Sequence, residues 1–259
     1  MIGIFDSGVG GLTVVKALQK QLPTLSFIYF GDTARTPYGT KGKETIIRYA
    51  IENTQFLIDH GAKVVLIACH TVSAVAMQSL KDKFNIPIFG VVEPAIHEAL
   101  RISAHKKIGV IGTKATITSN IYTKSLTELD KSVKMFKRSA GLLVPLVEER
   151  FWNRPETRRI VKYYLRPLKL QHVDTLILAC THYPFLSKVI QGIIGTRVKL
   201  VNPSESLIAS FQEFLNHNDD IHQSLDDNSI QKFYVSDDPE TFQKTALWWL
   251  GKKVDVLLN

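Results

Sequence analysis

Val64-Val65-Leu66-Ile67-Ala68-Cys69-His70-Thr71 and Thr175-Leu176-Ile177-Leu178-Ala179-Cys180-Thr181-His182 are near-copies of one another. Each is a short run of branched apolar residues ending in Ala-Cys, followed by Thr and His in one order or the other. A strand with no polar alternation is buried on both faces, which is the pattern of parallel sheets covered by helices. These are the only two cysteines in the chain. Two thiols placed alike in two halves suggest one site approached from two sides. Such a site suits a reaction that needs two similar acid/base groups facing each other.

Outward from these segments, apolar runs alternate with helical patterns along the chain. Strands are predicted at Ile2–Phe5, Phe27–Phe30, Val64–Ala68, Ile88–Val92, Ile108–Ile111, Thr175–Ala179 and Lys199–Val201. Helices are predicted between them, among them Gly11–Gln21, Lys43–His60 and Thr71–Phe84. Lys43–His60 places Ile46, Ile47, Tyr49, Ala50, Phe56, Leu57 and Ile58 on an inward stripe. The chain also repeats weakly. Ile2-Gly3-Ile4-Phe5-Asp6-Ser7-Gly8 resembles Ile108-Gly109-Val110-Ile111-Gly112-Thr113 at an offset of 106, and the Ala-Cys segments recur at an offset of 111. Two landmarks at similar offsets imply two related α/β halves with mainly parallel sheets. The seam is expected near Glu93–Ala104, with the segment after Pro203 returning to the first half. The expected domains are 1–97 plus 207–259, and 98–206. Asn216–Asn228 reads as an exposed loop.

The chain has 259 residues, 45% hydrophobic and 22% charged, enough to bury a substantial core. No apolar run approaches the roughly 18 residues of a membrane span. Met1-Ile2-Gly3-Ile4-Phe5-Asp6 lacks the pattern of a secretory signal, so a cytoplasmic location with reduced thiols is expected. Net charge is +8, yet the lysines are scattered and form no basic stripe interleaved with aromatics. That favours a solvated basic surface attractive to small anions over a nucleic-acid binder.

Ligands of parallel α/β sheets bind beyond the carboxyl ends of the strands. Four polar segments are predicted there. Asp6-Ser7-Gly8-Val9-Gly10-Gly11 permits close backbone approach to a ligand. Its spacing is not that of a dinucleotide fingerprint, and Asp6 would repel a pyrophosphate. Gly31-Asp32-Thr33-Ala34-Arg35-Thr36-Pro37-Tyr38-Gly39 is a donor-rich loop. The cysteine segments are the other two. Either thiol alone could be a small buried hydrophobe. The Cys/His spacing does not suit a structural zinc site, so no metal is expected. Each cysteine is predicted where a strand meets a helix N-terminus, an environment that lowers a thiol pKa.

In this order, Asp-Ser-Gly-Val-Gly-Gly, Gly-Asp-Thr-Ala-Arg-x-Pro-Tyr-Gly, Ala-Cys-x-Thr-x-Ser-Ala, Val-Pro-Leu-Val-Glu-Glu and Cys-Thr-His-Tyr-Pro resemble the motifs of the glutamate racemases, within the cofactor-independent aspartate/glutamate racemase family. The resemblance spans the whole chain, including Phe233-Tyr234-Val235-Ser236-Asp237-Asp238-Pro239. It implies two pseudo-symmetric α/β domains with the active site in the cleft between them, no cofactor, and racemisation of glutamate for peptidoglycan. It implies Cys69 and Cys180 as the two bases, Asp6 assisting Cys69, and His182 with Glu148 on the Cys180 side. Substrate holding is implied for Asp6, Ser7, Tyr38, Gly39, His70, Thr71, Thr181 and His182.

Three departures stand out: His70 where the family usually has Asn, Ala179 for Gly, and Ser139-Ala140-Gly141-Leu142-Leu143 for Ala-Cys-Pro-Leu-Phe. The partner expected is glutamate, with no nucleic acid and no membrane. The resemblance also allows a homodimer, with Trp248-Trp249 as core or interface. No lysine segment argues for pyridoxal binding. An aspartate racemase and a non-catalytic anion- or nucleotide-binding α/β module stay open as alternatives. The Pro-Tyr-Gly loop and Val144–Glu148 favour glutamate over aspartate.

Overall fold

The computed structural model describes residues 1–259. Ten strands form two sheets: β1 (Ile2–Asp6), β2 (Phe27–Gly31), β3 (Val64–Ile67), β4 (Ile88–Gly90), β5 (Lys107–Gly112), β6 (Lys134–Ser139), β7 (Thr175–Ala179), β8 (Lys199–Val201), β9 (Gln231–Val235) and β10 (Val256–Leu258). The first sheet runs β10-β9-β2-β1-β3-β4 and the second β6-β5-β7-β8. Every pairing is parallel. The order β2-β1-β3-β4 therefore recurs as β6-β5-β7-β8, and the weak sequence repeat is a repeat of topology. Each half is an α/β domain, and β9 and β10 extend the first sheet on one edge only.

All seven expected strands form, with small shifts at their ends. Ile88–Val92 is cut to Ile88–Gly90, because a helix begins at Val92 with Pro94 in its first turn, where a missing N–H does no harm. That helix, Val92–Ile102, occupies the seam, so the connection between the halves is helical. The expected bounds at 97/98 and 206/207 fall inside this helix and inside Pro203–Asn216. Thr71–Phe84 is two helices, His70–Val75 and Met77–Lys83, broken at Ala76 where no glycine or proline marks the break. Asn216–Asn228 holds a short helix, Asp219–Ser224, and buries Leu225.

Hydrophobic burial is continuous between the domains. One cluster of 42 buried residues runs from Ile2, Ile4 and Leu66 of the first sheet to Leu176 and Leu178 of the second, and to Cys180 just beyond it. The outer face of the first sheet packs Phe5, Val65 and Ile67 against Ile46, Ala50 and Leu57 of helix Lys43–Asp59. Along that helix the inward stripe differs from expectation. Asn53 and Thr54 are buried, while Ile47, Tyr49, Phe56 and Ile58 are half-buried. Asn53 is turned inward by polar partners described below.

Candidate active site

β1 ends in Asp6, which is fully buried and accepts the Gly8 N–H on Oδ2 at 3.2 Å. The loop after it must lie tight against the sheet: a Cβ on Gly11 would stand 2.5 Å from Asp6 Cβ and 2.8 Å from the Tyr29 hydroxyl. Tyr29 fixes the same loop by donating its hydroxyl to the Gly8 carbonyl at 2.7 Å. Burial pushes the Asp6 carboxyl up, and the nearby charge of His182 together with loop N–H groups pulls it partly back.

Cys69 follows β3 and caps helix His70–Val75. Its Sγ lies 3.8 Å from Ser7 Oγ, so the thiol reaches the loop that follows β1. The thiol is pushed up to about 12, first by burial and then by the charge of Asp6. This overturns the lowered thiol expected at a helix N-terminus. The Val72 N–H and the Ser7 hydroxyl do pull it down, but desolvation is larger. His70 is 2% exposed, and neither ring nitrogen has a hydrogen-bond partner. Burial lowers it to about 3, so it is a neutral imidazole at physiological pH.

Cys180 follows β7 but meets a 3₁₀ turn, Tyr183–Leu186, rather than an α-helix directly. Its Sγ lies 3.8 Å from His182 Nδ1, which also stands 3.4 Å from Thr181 Oγ1. His182 Nε2 is 3.0 Å from Glu148 Oε1, and that carboxylate is 39% exposed. Burial alone would lower His182. Cys180 and Glu148 outweigh it and raise the imidazole to about 10. The Cys180 side therefore holds a buried imidazolium, and the Cys69 side a buried carboxyl.

The halves touch across the cleft. A Cβ on Gly10 would stand 2.1 Å from Thr181 Oγ1 and 2.8 Å from His182 Nδ1, so only glycine fits there. Gly39 faces Thr113 in the same way, at 2.6 Å from its Cβ. Thr71 and Thr113 share a hydrogen bond at 3.0 Å between their hydroxyls. The charge of Cys180 also adds a small upward push to the Cys69 thiol. Asp6, Ser7, Gly39, Thr71, Cys69, Cys180, Thr181, His182 and Glu148 thus lie along the seam where the two halves meet, linked by these contacts. Tyr38 is placed differently. Its hydroxyl turns away, donating to Asp32 and accepting from Asn53 Nδ2 at 3.1 Å, so only its backbone lies beside Gly39.

Sequence reasoning missed Thr113, Asp32 and Trp249. Thr113 was legible, because the repeat sets it opposite Ser7. Asp32 sits inside a motif already quoted, but its burial beneath Arg35, Tyr38 and Ser236 gives no local signal. Trp249 reaches His182 only through the fold. No three His, Cys, Asp or Glu side chains are arranged to hold a metal ion. A cavity of about 750 Å³ lies elsewhere, lined by Ser73, Met77, Phe89, Glu93, His97 and Ser125, and neither cysteine lines it. No helix is long and apolar enough to cross a membrane.

Comparison with known proteins makes the chain an isomerase, an amino-acid racemase. The Asp/Glu/Hydantoin racemase family model matches residues 5–210, and the chain belongs to that family. The chain is similar to a glutamate racemase from Aquifex pyrophilus, 48% identical over 87% of this chain and 86% of the relative. A crystal structure of a Bacillus anthracis glutamate racemase superposes with a TM-score of 0.94 at 36% identity, covering 100% of this chain and 97% of that one. A Francisella tularensis glutamate racemase in complex with D-glutamate gives a TM-score of 0.91 at 34% identity, covering 100% and 96%.

Proposed function

We propose that this chain interconverts L- and D-glutamate by a two-base proton transfer at Cα, without a cofactor, and so supplies D-glutamate for peptidoglycan in the cytoplasm. The observation that supports it is the pair of buried cysteines at equivalent strand ends, each with its own polar partners, in one cleft. Inverting a stereocentre requires a proton to leave one face of Cα and another to arrive at the opposite face. One sulfur, as thiolate, takes the α-proton. The thiol across the cleft then donates its own proton to the other face of the carbanion. The two sulfurs end with their protonation states exchanged, ready for the enantiomer.

Cys69 rests as the thiol, held so by burial and by Asp6, and is poised to donate. When Cys69 abstracts, the substrate ammonium offsets the carboxyl beside it. On the other side the His182 imidazolium, 3.8 Å from Cys180, is the group that accompanies sulfur charge there, and Glu148 orients the ring through Nε2. Asp6, Ser7, Gly39, His70, Thr71, Thr181 and His182 hold the substrate α-carboxylate and ammonium, with Tyr38 contributing backbone. Burial of His70, Thr71, Thr181 and His182 strengthens their contacts during reaction. The division into domains 1–97 plus 207–259 and 98–206 is supported by β9 and β10 joining the first sheet.

The test is racemisation of L-glutamate and L-aspartate by the purified protein without added cofactor, followed by circular dichroism. Faster turnover of glutamate is expected. Faster turnover of aspartate would overturn the substrate, and no turnover of either would overturn the reading. Growth of a D-glutamate auxotroph carrying the gene tests the peptidoglycan role.

A further inference from the structure

The His182 ring has both nitrogens engaged, yet something must also hold the ring itself. Gly10 lies against Nδ1 and Cε1 from the first domain. Another first-domain residue, Trp249 of helix Pro239–Leu250, stands edge-to-face with the ring, at 6.0 Å between centroids and 85° between planes. Trp249 is itself fixed. It is 3% exposed, packs on Phe185 at 3.9 Å, and its carbonyl accepts Lys16 Nζ at 3.3 Å. The next residue back, Trp248, is 43% exposed and stacks on Trp152 at 4.2 Å, without reaching His182. An indole face carries negative potential, and a cationic ring presented to it is attracted, more strongly where water is excluded.

We propose that Trp249 is a positioning residue for His182, reaching across from the first domain to hold the imidazolium beside Cys180. The catalytic half of this statement rests on the two-base reading above; the contact itself does not. The arrangement makes the Cys180 half-site complete only when the C-terminal helix is seated against the second domain. The charged and titratable groups around the ring are Cys180 and Glu148 of its own domain and Asp6 from β1, with Lys16 on the Trp249 backbone carbonyl. Trp249 supplies no charge to this set. It supplies an aromatic ring set edge-to-face against the imidazolium.

The experiment is a pH titration of the histidine side chains by ¹H–¹⁵N NMR, without substrate, with His182 assigned by His182→Asn. Removing the indole in Trp249→Leu is expected to lower the His182 midpoint by roughly 0.5 to 1.5 pH units. Trp249→Phe, which keeps an aromatic face, is expected to restore most of it. Trp248→Leu, which disturbs the same helix without touching the ring, is expected to leave it unchanged. If Trp249→Leu does not fold, Trp249→Met, with a flexible unbranched side chain and no ring, replaces it. An unchanged midpoint in the ringless variant, or an equal shift in Trp248→Leu, overturns the proposal. Because no turnover is read, failure to racemise glutamate would leave this result standing.

Discussion

The Cys69 and Cys180 half-sites share a strand, an Ala-Cys turn and a neighbouring histidine, yet their buried histidines are driven in opposite directions. His70 has no partner for either nitrogen, and burial alone sets it at about 3. His182 is equally buried but lies between a thiol and a carboxylate, which carry it to about 10. Burial is common to both, so the partners decide the sign. Placement of the thiols is a property of the repeated sheet. The electrostatics belong to residues the repeat does not copy: Asp6 and Ser7 on one side, His182 and Glu148 on the other.

The most drastic way to break the comparison is to remove one thiol at a time. Cys69→Ser and Cys180→Ser are each expected to lower racemisation kcat by on the order of 10²- to 10⁴-fold, since each removes one of the two proton carriers. Steady-state assays from both enantiomers check this, and a variant within about threefold of wild type would mean that its sulfur carries no proton.

A gentler break separates the halves without removing a proton carrier. Gly10→Ala places a methyl group within 2.1 Å of Thr181 Oγ1 and 2.8 Å of His182. The domains must part or the His182 ring must turn, and kcat/KM is expected to fall by roughly 10- to 100-fold with the fold retained. Wild-type kinetics in a folded Gly10→Ala would show that the two sides need not meet here.

The opposed histidines give opposite stability profiles. His70 is lowered, so between about 6.5 and about 3 the unfolded chain binds more protons than the folded one. Its contribution is therefore lost as pH falls through that window, at up to about 1.4 kcal/mol per pH unit. His182 is raised, so its contribution is full below about 6.5 and is lost as pH rises toward about 10. Urea unfolding across pH should show the acid slope flattened in His70→Asn and the alkaline slope flattened in His182→Asn. The same limb flattened in both would contradict the assignment.

The smallest effect on activity is expected at Tyr38. Its hydroxyl is committed to Asp32 and Asn53, so Tyr38→Phe should change KM for glutamate by less than about threefold while lowering stability by about 1–3 kcal/mol. A large rise in KM at unchanged stability would return the hydroxyl to the substrate.

These contrasts mark what was legible in the chain. Buried parallel strands announce themselves as unbroken apolar runs, so β3 and β7, and with them both thiols, could be placed from sequence alone. Two of the edge strands, β6 and β10, carry no such signal. β6 is Lys-Met-Phe-Lys-Arg-Ser, partly exposed throughout, and β10 leaves Leu257 and Leu258 open to solvent. The gathering of Asp6, Ser7, Cys69, Cys180, His182 and Glu148 followed from strand ends and family motifs. The direction of the Cys69 shift did not, because a helix N-terminus is visible in sequence and desolvation is not. The partners of the Tyr38 hydroxyl were hidden for a related reason: a tyrosine in a polar loop gives no hint of a buried carboxylate beneath it.

The most direct measurement is a crystal structure of the protein with glutamate bound. The account predicts one glutamate in the cleft, its Cα between Cys69 Sγ and Cys180 Sγ, with the sulfurs on opposite faces and each about 3–3.5 Å from Cα. Both sulfurs on the same face, or either one too distant to reach the α-hydrogen, would contradict it.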